Sequence, residues 1–173
     1  MLGVYVHIPF CRHKCLYCDF PSYSGLDCYM AGYVPALCRE IAATPYAGKP
    51  VDTIYIGGGT PSILSAPSME AIVRTLRQTF AVTGDAEITI EANPESLDRE
   101  KAEAYVACGI NRLSLGIQSF SDEMLSFLGR IHTAKEGEQA LDAAWKAGIR
   151  NLSIDLMYGL PGQTVDDVRR DVQ

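Results

Sequence analysis

The sequence is short of positive charge and has no cluster of basic residues. Its 173 residues include 15 lysines and arginines against 21 aspartates and glutamates, which gives a formal net charge of −6. Nucleic-acid-binding domains present a basic patch or stripe, so this charge pattern argues against DNA or RNA as a partner. Acidity of this size otherwise bears on solubility and not on the fold.

Long apolar runs are also missing. The segment after Met1, residues 3–8, is too short to be the apolar part of a signal peptide. No run reaches the roughly 20 apolar residues of a membrane-spanning helix. We therefore expect a cytoplasmic protein whose six cysteines are reduced and do not form a disulfide framework. Three of the six are scattered, and we expect them to be small buried packing residues: Cys28, Cys38 and Cys108.

The other three cysteines form a compact motif. Cys11, Cys15 and Cys18 have the spacing Cys-x-x-x-Cys-x-x-Cys. Three thiolates on one short loop can bind three corners of a [4Fe–4S] cluster and leave the fourth iron open to an outside ligand. The alternative is a zinc site, with His7 or His13 as the fourth ligand.

Short β-rich segments alternate with helical patterns along the chain. Five nearly continuous apolar runs predict parallel strands covered on both faces: residues 4–8, 53–56, 87–91, 112–117 and 152–157. The helical segments between them have readable ends, since Thr133 and Glu136 form a capping box, and Gly109 and Gly148 are predicted to end two helices. Trp145 is expected to lie in the core. The order of elements predicts an α/β domain with a parallel sheet.

An internal repeat favours a barrel over an open sheet. Residues 108–115, Cys-Gly-Ile-Asn-Arg-Leu-Ser-Leu, resemble residues 147–154, Ala-Gly-Ile-Arg-Asn-Leu-Ser-Ile, and both run from the end of a helix into a strand. Repeated βα units are typical of (β/α) barrels. Five strands do not close a barrel, and only a few residues follow the predicted helix cap at Thr164. We therefore expect a fragment, a partial (β/α) barrel truncated at about five βα units.

Polar or glycine-rich residues follow or end every predicted strand. Parallel α/β sheets bind ligands at the carboxyl ends of their strands, so these residues are expected to share one site. They are the cysteine motif, Gly57-Gly58-Gly59-Thr60-Pro61, Glu91-Ala92-Asn93-Pro94, Gln118-Ser119, and Asp155 with the turn Gly159-Leu160-Pro161-Gly162.

Taken singly, these features have more than one interpretation. The three glycines either let the backbone approach a ligand or form a tight turn, and the absence of a following Gly-Lys-Ser/Thr argues against a phosphate loop. Glu91 either binds ribose hydroxyls or an ammonium group, or it is a solvated carboxylate. Asp155 interrupts an apolar strand, where a carboxylate needs a partner. Arg130 is a candidate for that role, but it is equally compatible with a ligand carboxylate or with solvent.

Together, these motifs resemble those of the radical S-adenosylmethionine (SAM) family. Residues 5–18, from Tyr-Val-His-Ile-Pro-Phe-Cys to Tyr-Cys, resemble its signature and lead-in, in the branch of the oxygen-independent coproporphyrinogen III dehydrogenases (oxidases) and the HemW-type heme chaperones. The resemblance extends over residues 57–62, 91–94, 116–120, 128–132 and 155–163. It implies a radical SAM core domain over residues 1–173 that is incomplete, without the last barrel strand and the C-terminal domain.

The resemblance implies a role for each matched position. Cys11, Cys15 and Cys18 would bind the [4Fe–4S] cluster, whose open iron takes the amino and carboxylate groups of SAM. Contacts to SAM are implied for Tyr5, Tyr17, Gly58, Gly59, Thr60 and Glu91. A second pocket, for SAM or substrate, is implied for Gln118, Arg130 and Asp155. In such proteins one electron from the reduced cluster cleaves SAM to a 5′-deoxyadenosyl radical, which abstracts hydrogen.

Phe20 distinguishes the two branches of the family. The dehydrogenases carry a cysteine two residues after the third cluster cysteine, whereas Cys18-Asp19-Phe20 resembles the chaperones. The resemblance therefore favours a heme chaperone over an oxygen-independent coproporphyrinogen III dehydrogenase, with a structural zinc module as a distant alternative. Implied partners are SAM, heme or porphyrinogen, an electron-donor protein and heme-acceptor proteins. Neither nucleic acid nor direct membrane contact is expected, and any membrane contact would be made through a partner.

Overall fold

The computed structural model describes residues 2–173, in which strands and helices alternate. The strands are β1 Leu2–Ile8, β2 Phe10–Cys11, β3 Tyr23–Ser24, β4 Pro50–Gly58, β5 Ala81–Ala92, β6 Arg112–Gln118 and β7 Asn151–Leu156. The α-helices are α1 Met30–Ala42, α2 Ala66–Thr79, α3 Arg99–Cys108, α4 Asp122–Phe127, α5 Ala134–Ala147 and α6 Val165–Asp171. Over residues 2–173, no helix has both the length and the apolar composition needed to cross a bilayer.

Five of the strands form one parallel sheet in the order β1-β4-β5-β6-β7. Each strand pairs with the next sheet strand along the chain, so every crossover steps in the same direction, as in a (β/α) barrel. The predicted α/β fold of partial-barrel type is therefore confirmed, and all five predicted strands are present with shifted ends. The two-residue strands β2 and β3 pair with each other separately, and the apolar pattern of the sequence did not predict them.

The sheet has an apolar face and a polar face, which corrects the expectation of strands that are apolar on both sides. Val6, Ile8 and Ile54 are buried with residues of α1, α2, α3 and α5, which form a helical layer on one face. Tyr5 and Tyr55 alternate with these residues, pair with each other in register and are not fully buried. Because successive side chains of a strand point to opposite faces, the face away from the helices is free to line a site.

The helix ends follow the predicted chemistry. Glu136 N donates to Thr133 Oγ1 at 3.3 Å, and Thr133 N donates to the Glu136 carboxylate at 2.7 Å, which completes the capping box of α5. Gly109 and Gly148 end α3 and α5 in the left-handed conformation, with φ of 94° and 104°. These two glycines occupy equivalent positions of the internal repeat, so the repeat is present in the structure as well as in the sequence.

Two expectations about burial are wrong. Trp145 is 54% exposed and is not in the core; the buried stripe of α5 consists of small residues that let the helix lie close to the sheet. The Trp145 ring lies under the guanidinium group of Arg150, whose carbon is 4.2 Å from the ring centroid. Cys28 is exposed, whereas Cys38 and Cys108 are half-buried and pack against the core.

Candidate functional site

All twelve site residues expected from the sequence line one cavity of about 330 Å³. They come from the carboxyl-terminal parts of the sheet strands and from the loops that follow them, because parallel strands bring those ends to a common rim. The twelve are Tyr5, Cys11, Cys15, Tyr17, Cys18, Gly58, Gly59, Thr60, Glu91, Gln118, Arg130 and Asp155.

The loop that carries the three cysteines is fixed to the rest of the protein at several points. Cys11 is buried in β2, and Cys15 and Cys18 are half-buried free thiols joined by a turn in which Cys18 N donates to Cys15 O at 3.1 Å. Leu16 N donates to Leu128 O at 3.3 Å, beyond α4. The backbone of the loop is therefore held by the protein itself.

His7 attaches the sheet to the same loop. Its Nε2 lies 2.9 Å from Pro21 O, and because a carbonyl only accepts, Nε2 donates. Its Nδ1 then accepts from the Tyr5 hydroxyl at 3.0 Å. Both ring nitrogens are occupied, so the zinc interpretation loses His7 as a fourth ligand, and only His13 is left lining the cavity. Within residues 2–173, no group of three His, Cys, Asp or Glu side chains is placed closely enough to bind a single metal ion.

The glycine run that ends β4 and continues into the following loop is required by the protein's own packing at Gly58 and Gly59. Gly58 has φ of 122°, and a Cβ atom there would lie 2.8 Å from the His7 ring and 2.9 Å from Ile8 O. A Cβ atom at Gly59 would lie 2.7 Å from Phe10 O and 2.9 Å from Cys11 Sγ. The glycines thus bring the β4 loop against β1 and against the first cysteine.

Glu91 is held by two neighbouring groups of β4. The Tyr55 hydroxyl donates to its Oε1 at 2.7 Å, and Gly58 N donates to its Oε2 at 3.0 Å. Burial, followed by the hydrogen bond to Glu91, raises the pKa of Tyr55, so Tyr55 remains a donor at neutral pH. Tyr55 was not among the site residues expected from the sequence, although the alternation of side chains along β4 would have placed it on the polar face.

Arg130 and Asp155 do not pair, which corrects the partnership considered from the sequence. Asp155 is exposed on the edge strand β7, and the Ser114 hydroxyl donates to its carboxylate at 3.4 Å. Arg130 donates from Nη2 to Gly116 O at 2.6 Å and to Asn93 Oδ1 at 2.9 Å, and from Nη1 to Cys15 Sγ at 3.4 Å. Asp155 is exposed within residues 2–173, so the expected need of a buried carboxylate for a partner does not arise there.

Gln118 and Tyr17 complete the lining of the cavity. Gln118 ends β6 with φ of 68°, a conformation that is uncommon outside glycine and concentrates at functional sites. The turn after it is held by Asp171 of α6, which accepts from Ser119 Oγ and Phe120 N at 2.8 Å each. Burial raises the pKa of Tyr17 to about 12, so its hydroxyl stays protonated beside Cys15 and Arg130.

Residues 5–173 match the radical SAM superfamily, which covers the three cysteines and every other residue that lines the cavity. The chain belongs to this superfamily. Membership implies binding of a [4Fe–4S] cluster and of SAM.

The radical SAM chain is similar to curated proteins named heme chaperone HemW. It is 45% identical to the one from Synechocystis, over 95% of this chain and 42% of the relative, and 42% identical to the one from Escherichia coli, over 99% and 46%. It also superposes on the E. coli coproporphyrinogen III oxidase HemN with a TM-score of 0.90 and 32% identity, over 98% of this chain and 40% of HemN. The chain thus spans less than half the length of these relatives.

The residues of this radical SAM site suit an iron–sulfur cluster. The donor set is three free thiols, the soft ligands that such clusters require, on a loop the protein already holds in place. Gly59 leaves the space beside Cys11 Sγ that a side chain would fill. Arg130 adds positive charge next to Cys15, and its Nε is buried without a hydrogen-bond partner in residues 2–173.

Proposed function

We propose that this chain is the cluster- and SAM-binding part of a heme chaperone, a protein that binds heme and transfers it to acceptor proteins. The observation that carries the first half of the proposal is the lining of the cavity. Cys11, Cys15 and Cys18 are the cysteines of residues 2–173 that line it, so three irons of a cluster take protein thiolates and the fourth stays open. An open iron is the position at which the amino and carboxylate groups of SAM bind.

The other nine residues expected at the site divide into two proposed groups. Tyr5, Thr60 and the backbone at Gly58 and Gly59 line the cavity together with Tyr17 of the cysteine loop, and Glu91 accepts hydrogen bonds from two donors of β4. We assign these residues to SAM. Gln118, Arg130 and Asp155 lie on β6, after α4 and on β7, and we assign them to a second pocket, for another SAM or a substrate.

The cluster assignment is tested by anaerobic reconstitution with iron and sulfide. The unmodified protein should bind about four irons with an iron–sulfur absorbance band, and Cys15→Ser should lose it. Cys28→Ser is the matched control, because Cys28 is exposed and does not line the cavity. Stoichiometric zinc without an iron chromophore, or full iron content in Cys15→Ser, would refute the assignment.

The chaperone half of the proposal is supported by the relatives and by Phe20. Curated relatives at 35–45% identity carry the name heme chaperone HemW. Phe20 lines the cavity and is 66% exposed, at the position where the resemblance places a further cysteine in the dehydrogenases. An electron-donor protein and heme acceptors are the partners that the proposed function requires.

A coproporphyrinogen III dehydrogenase is the second candidate, favoured by the close structural match to HemN. The two functions differ in what they consume, because a carrier binds heme reversibly whereas a dehydrogenase cleaves SAM for each porphyrinogen oxidised.

Full-length protein should therefore bind heme stoichiometrically in an absorbance titration and pass it to an apo acceptor protein. Phe20→Cys should not create decarboxylase activity, because the substrate pocket is built from other elements as well. Conversion of coproporphyrinogen III by the unmodified protein, with SAM consumed in proportion, would overturn the chaperone assignment in favour of the dehydrogenase.

A further inference from the structure

A continuous hydrogen-bonded path links two of the three site cysteines through a single arginine. Arg130 donates to Cys15 Sγ at 3.4 Å and to Asn93 Oδ1 at 2.9 Å. Asn93 Nδ2 in turn lies 3.2 Å from Thr60 Oγ1, and Thr60 Oγ1 lies 3.5 Å from Cys11 Sγ. Three residues that are far apart in the sequence, from the loops after β4, β5 and α4, thus connect the two sulfur atoms.

The arginine fixes the direction of every hydrogen bond on this path. A guanidinium group only donates, so Asn93 must turn its oxygen towards Arg130 and its amide hydrogens towards Thr60. The Thr60 hydroxyl then accepts from Asn93, which leaves its own proton to donate to Cys11 Sγ. Thr60 is buried, with 3% of its surface exposed, so water does not readily compete for this proton. Both sulfur atoms are therefore acceptors of hydrogen bonds that depend on Arg130.

The positive charge of Arg130 has no strong counter-ion within the part of the chain that the structure describes. No carboxylate of residues 2–173 lies within 4.0 Å of its guanidinium nitrogens. Its contacts are instead a carbonyl, an amide oxygen and a thiol. A half-buried cation without a carboxylate partner is stabilised by nearby anions, and cluster-bound thiolates are anions in direct contact.

We infer that Arg130 is a positioning residue that raises the reduction potential of the [4Fe–4S] cluster, through its hydrogen bond to Cys15 and through the Asn93–Thr60 path to Cys11. The inference rests on the cluster assignment proposed above. Reduction adds one electron and therefore one negative charge to the cluster, and donors aimed at its sulfur ligands stabilise that added charge. This role is separate from any contact that Arg130 makes to a ligand in the second pocket.

The test is a potentiometric titration of the reconstituted full-length protein with dithionite as the electron source, followed by electron paramagnetic resonance in the absence of SAM. Leaving out SAM removes any contribution from a ligand carboxylate. Arg130→Met should shift the ratio of reduced to oxidised cluster at a fixed potential roughly tenfold towards the oxidised form, which is about 59 mV for one electron. Arg130→Lys keeps the charge but loses the forked geometry, so its potential should lie between those of wild type and Arg130→Met.

Two further variants separate the hydrogen-bonded path from a general structural effect. Thr60→Val removes the donor to Cys11 at nearly constant size and should shift the potential in the same direction as Arg130→Met, by less. Ser114→Ala is the control, because Ser114 lines the same cavity but bonds to Asp155 and to none of the thiols. The reduction potential of the cluster in this variant should equal that of wild type.

Iron content, measured first, distinguishes failure of the cluster assignment from failure of the proposed role of Arg130. Wild-type protein that binds no cluster refutes the cluster assignment itself. Fully loaded Arg130→Met and Thr60→Val with wild-type potentials refute the inference and leave the assignment intact. If Arg130→Met does not load, Arg130→Lys and Thr60→Val decide, and unchanged potentials in both overturn the inference.

Discussion

Gly59 lies where the β4 loop meets the first cysteine of the site. Its backbone N–H donates to Ile8 O at 2.8 Å, and the next residue, Thr60, donates from its N–H to Phe10 O at 2.8 Å. These two bonds hold the loop so close to β2 that no side chain fits between them. The glycine that sequence reasoning assigned to a ligand is therefore needed before any ligand binds.

We predict that Gly59→Ala lowers the free energy of unfolding by about 1–3 kcal/mol, because its Cβ atom would lie 2.7 Å from Phe10 O. It should also reduce iron loading, since the backbone shift moves Cys11. Gly84→Ala in β5 is the matched control, because a Cβ atom there has no neighbour within 4 Å, and its stability should stay within about 0.5 kcal/mol of wild type. Urea denaturation and iron content measure both effects, and equal stabilities of the two variants would contradict the packing argument.

At the scale of elements, α5 shows how a short local motif fixes the start of a helix beside the site. The capping box of Thr133 and Glu136 satisfies backbone groups at its first turn, and the Thr133 hydrogen bonds lower the pKa of Glu136. The helix begins at Ala134, four residues after Arg130, and its cap Thr133 lies three residues after Arg130. Its first turn therefore helps to fix the loop that carries the arginine.

We predict that Thr133→Ala lowers the free energy of unfolding by about 1 kcal/mol at neutral pH. Because the pKa of Glu136 is lowered in the folded state, its contribution is present above the unfolded-state pKa of glutamate, about 4.3, and is lost as the pH falls through the folded value. The difference between wild type and Thr133→Ala should therefore shrink as the pH falls through that range. Glu136→Gln keeps a capping box without the charge, and in this background the difference should not depend on Glu136 titration. A difference that grows on acidification would contradict this account.

At the scale of the whole molecule, the cavity is assembled from all five sheet strands and the cysteine loop. On the side of the sheet, His7 and Thr60 bond to the loop and its lead-in. Leu16 and Cys15 of the loop bond to the region after α4. A group bound by the three thiolates would connect these parts in the folded state only. Binding that is confined to the folded state raises its apparent stability.

We predict that loading with iron and sulfide raises the thermal unfolding midpoint of the full-length protein, and that removal of the iron by a chelator returns it to the value of the unloaded protein. Differential scanning calorimetry under anaerobic conditions measures both midpoints. Cys15→Ser should show no such difference, whereas Cys108→Ser, outside the cavity, should behave as wild type. Equal midpoints for loaded and unloaded wild type would refute the expected coupling between the cluster and the fold.

The sequence by itself predicted the five strands of the sheet and several helix ends, and the residues it singled out line one cavity. Strands, caps such as Thr133 and helix-ending glycines such as Gly148 were predictable because they depend on neighbours a few residues away. The common cavity was predictable for the residues at the ends of the strands, because parallel strands bring their carboxyl ends to one rim, whereas Tyr5 and Tyr17 were expected only from the family resemblance. Patterns that depend only on residues a few positions apart can be recognised from the sequence alone.

Only the tertiary structure decided which groups of the site touch each other. Arg130 bonds to Asn93 and Cys15 and not to Asp155, and Tyr55 holds Glu91, because strand register and loop paths set distances between residues that are remote in the chain. Tertiary packing likewise decided which side chains are buried, because a face of a strand or helix becomes buried only when another layer packs on it. A hydrogen bond requires two atoms within about 3 Å, and that distance is fixed by packing and not by sequence spacing.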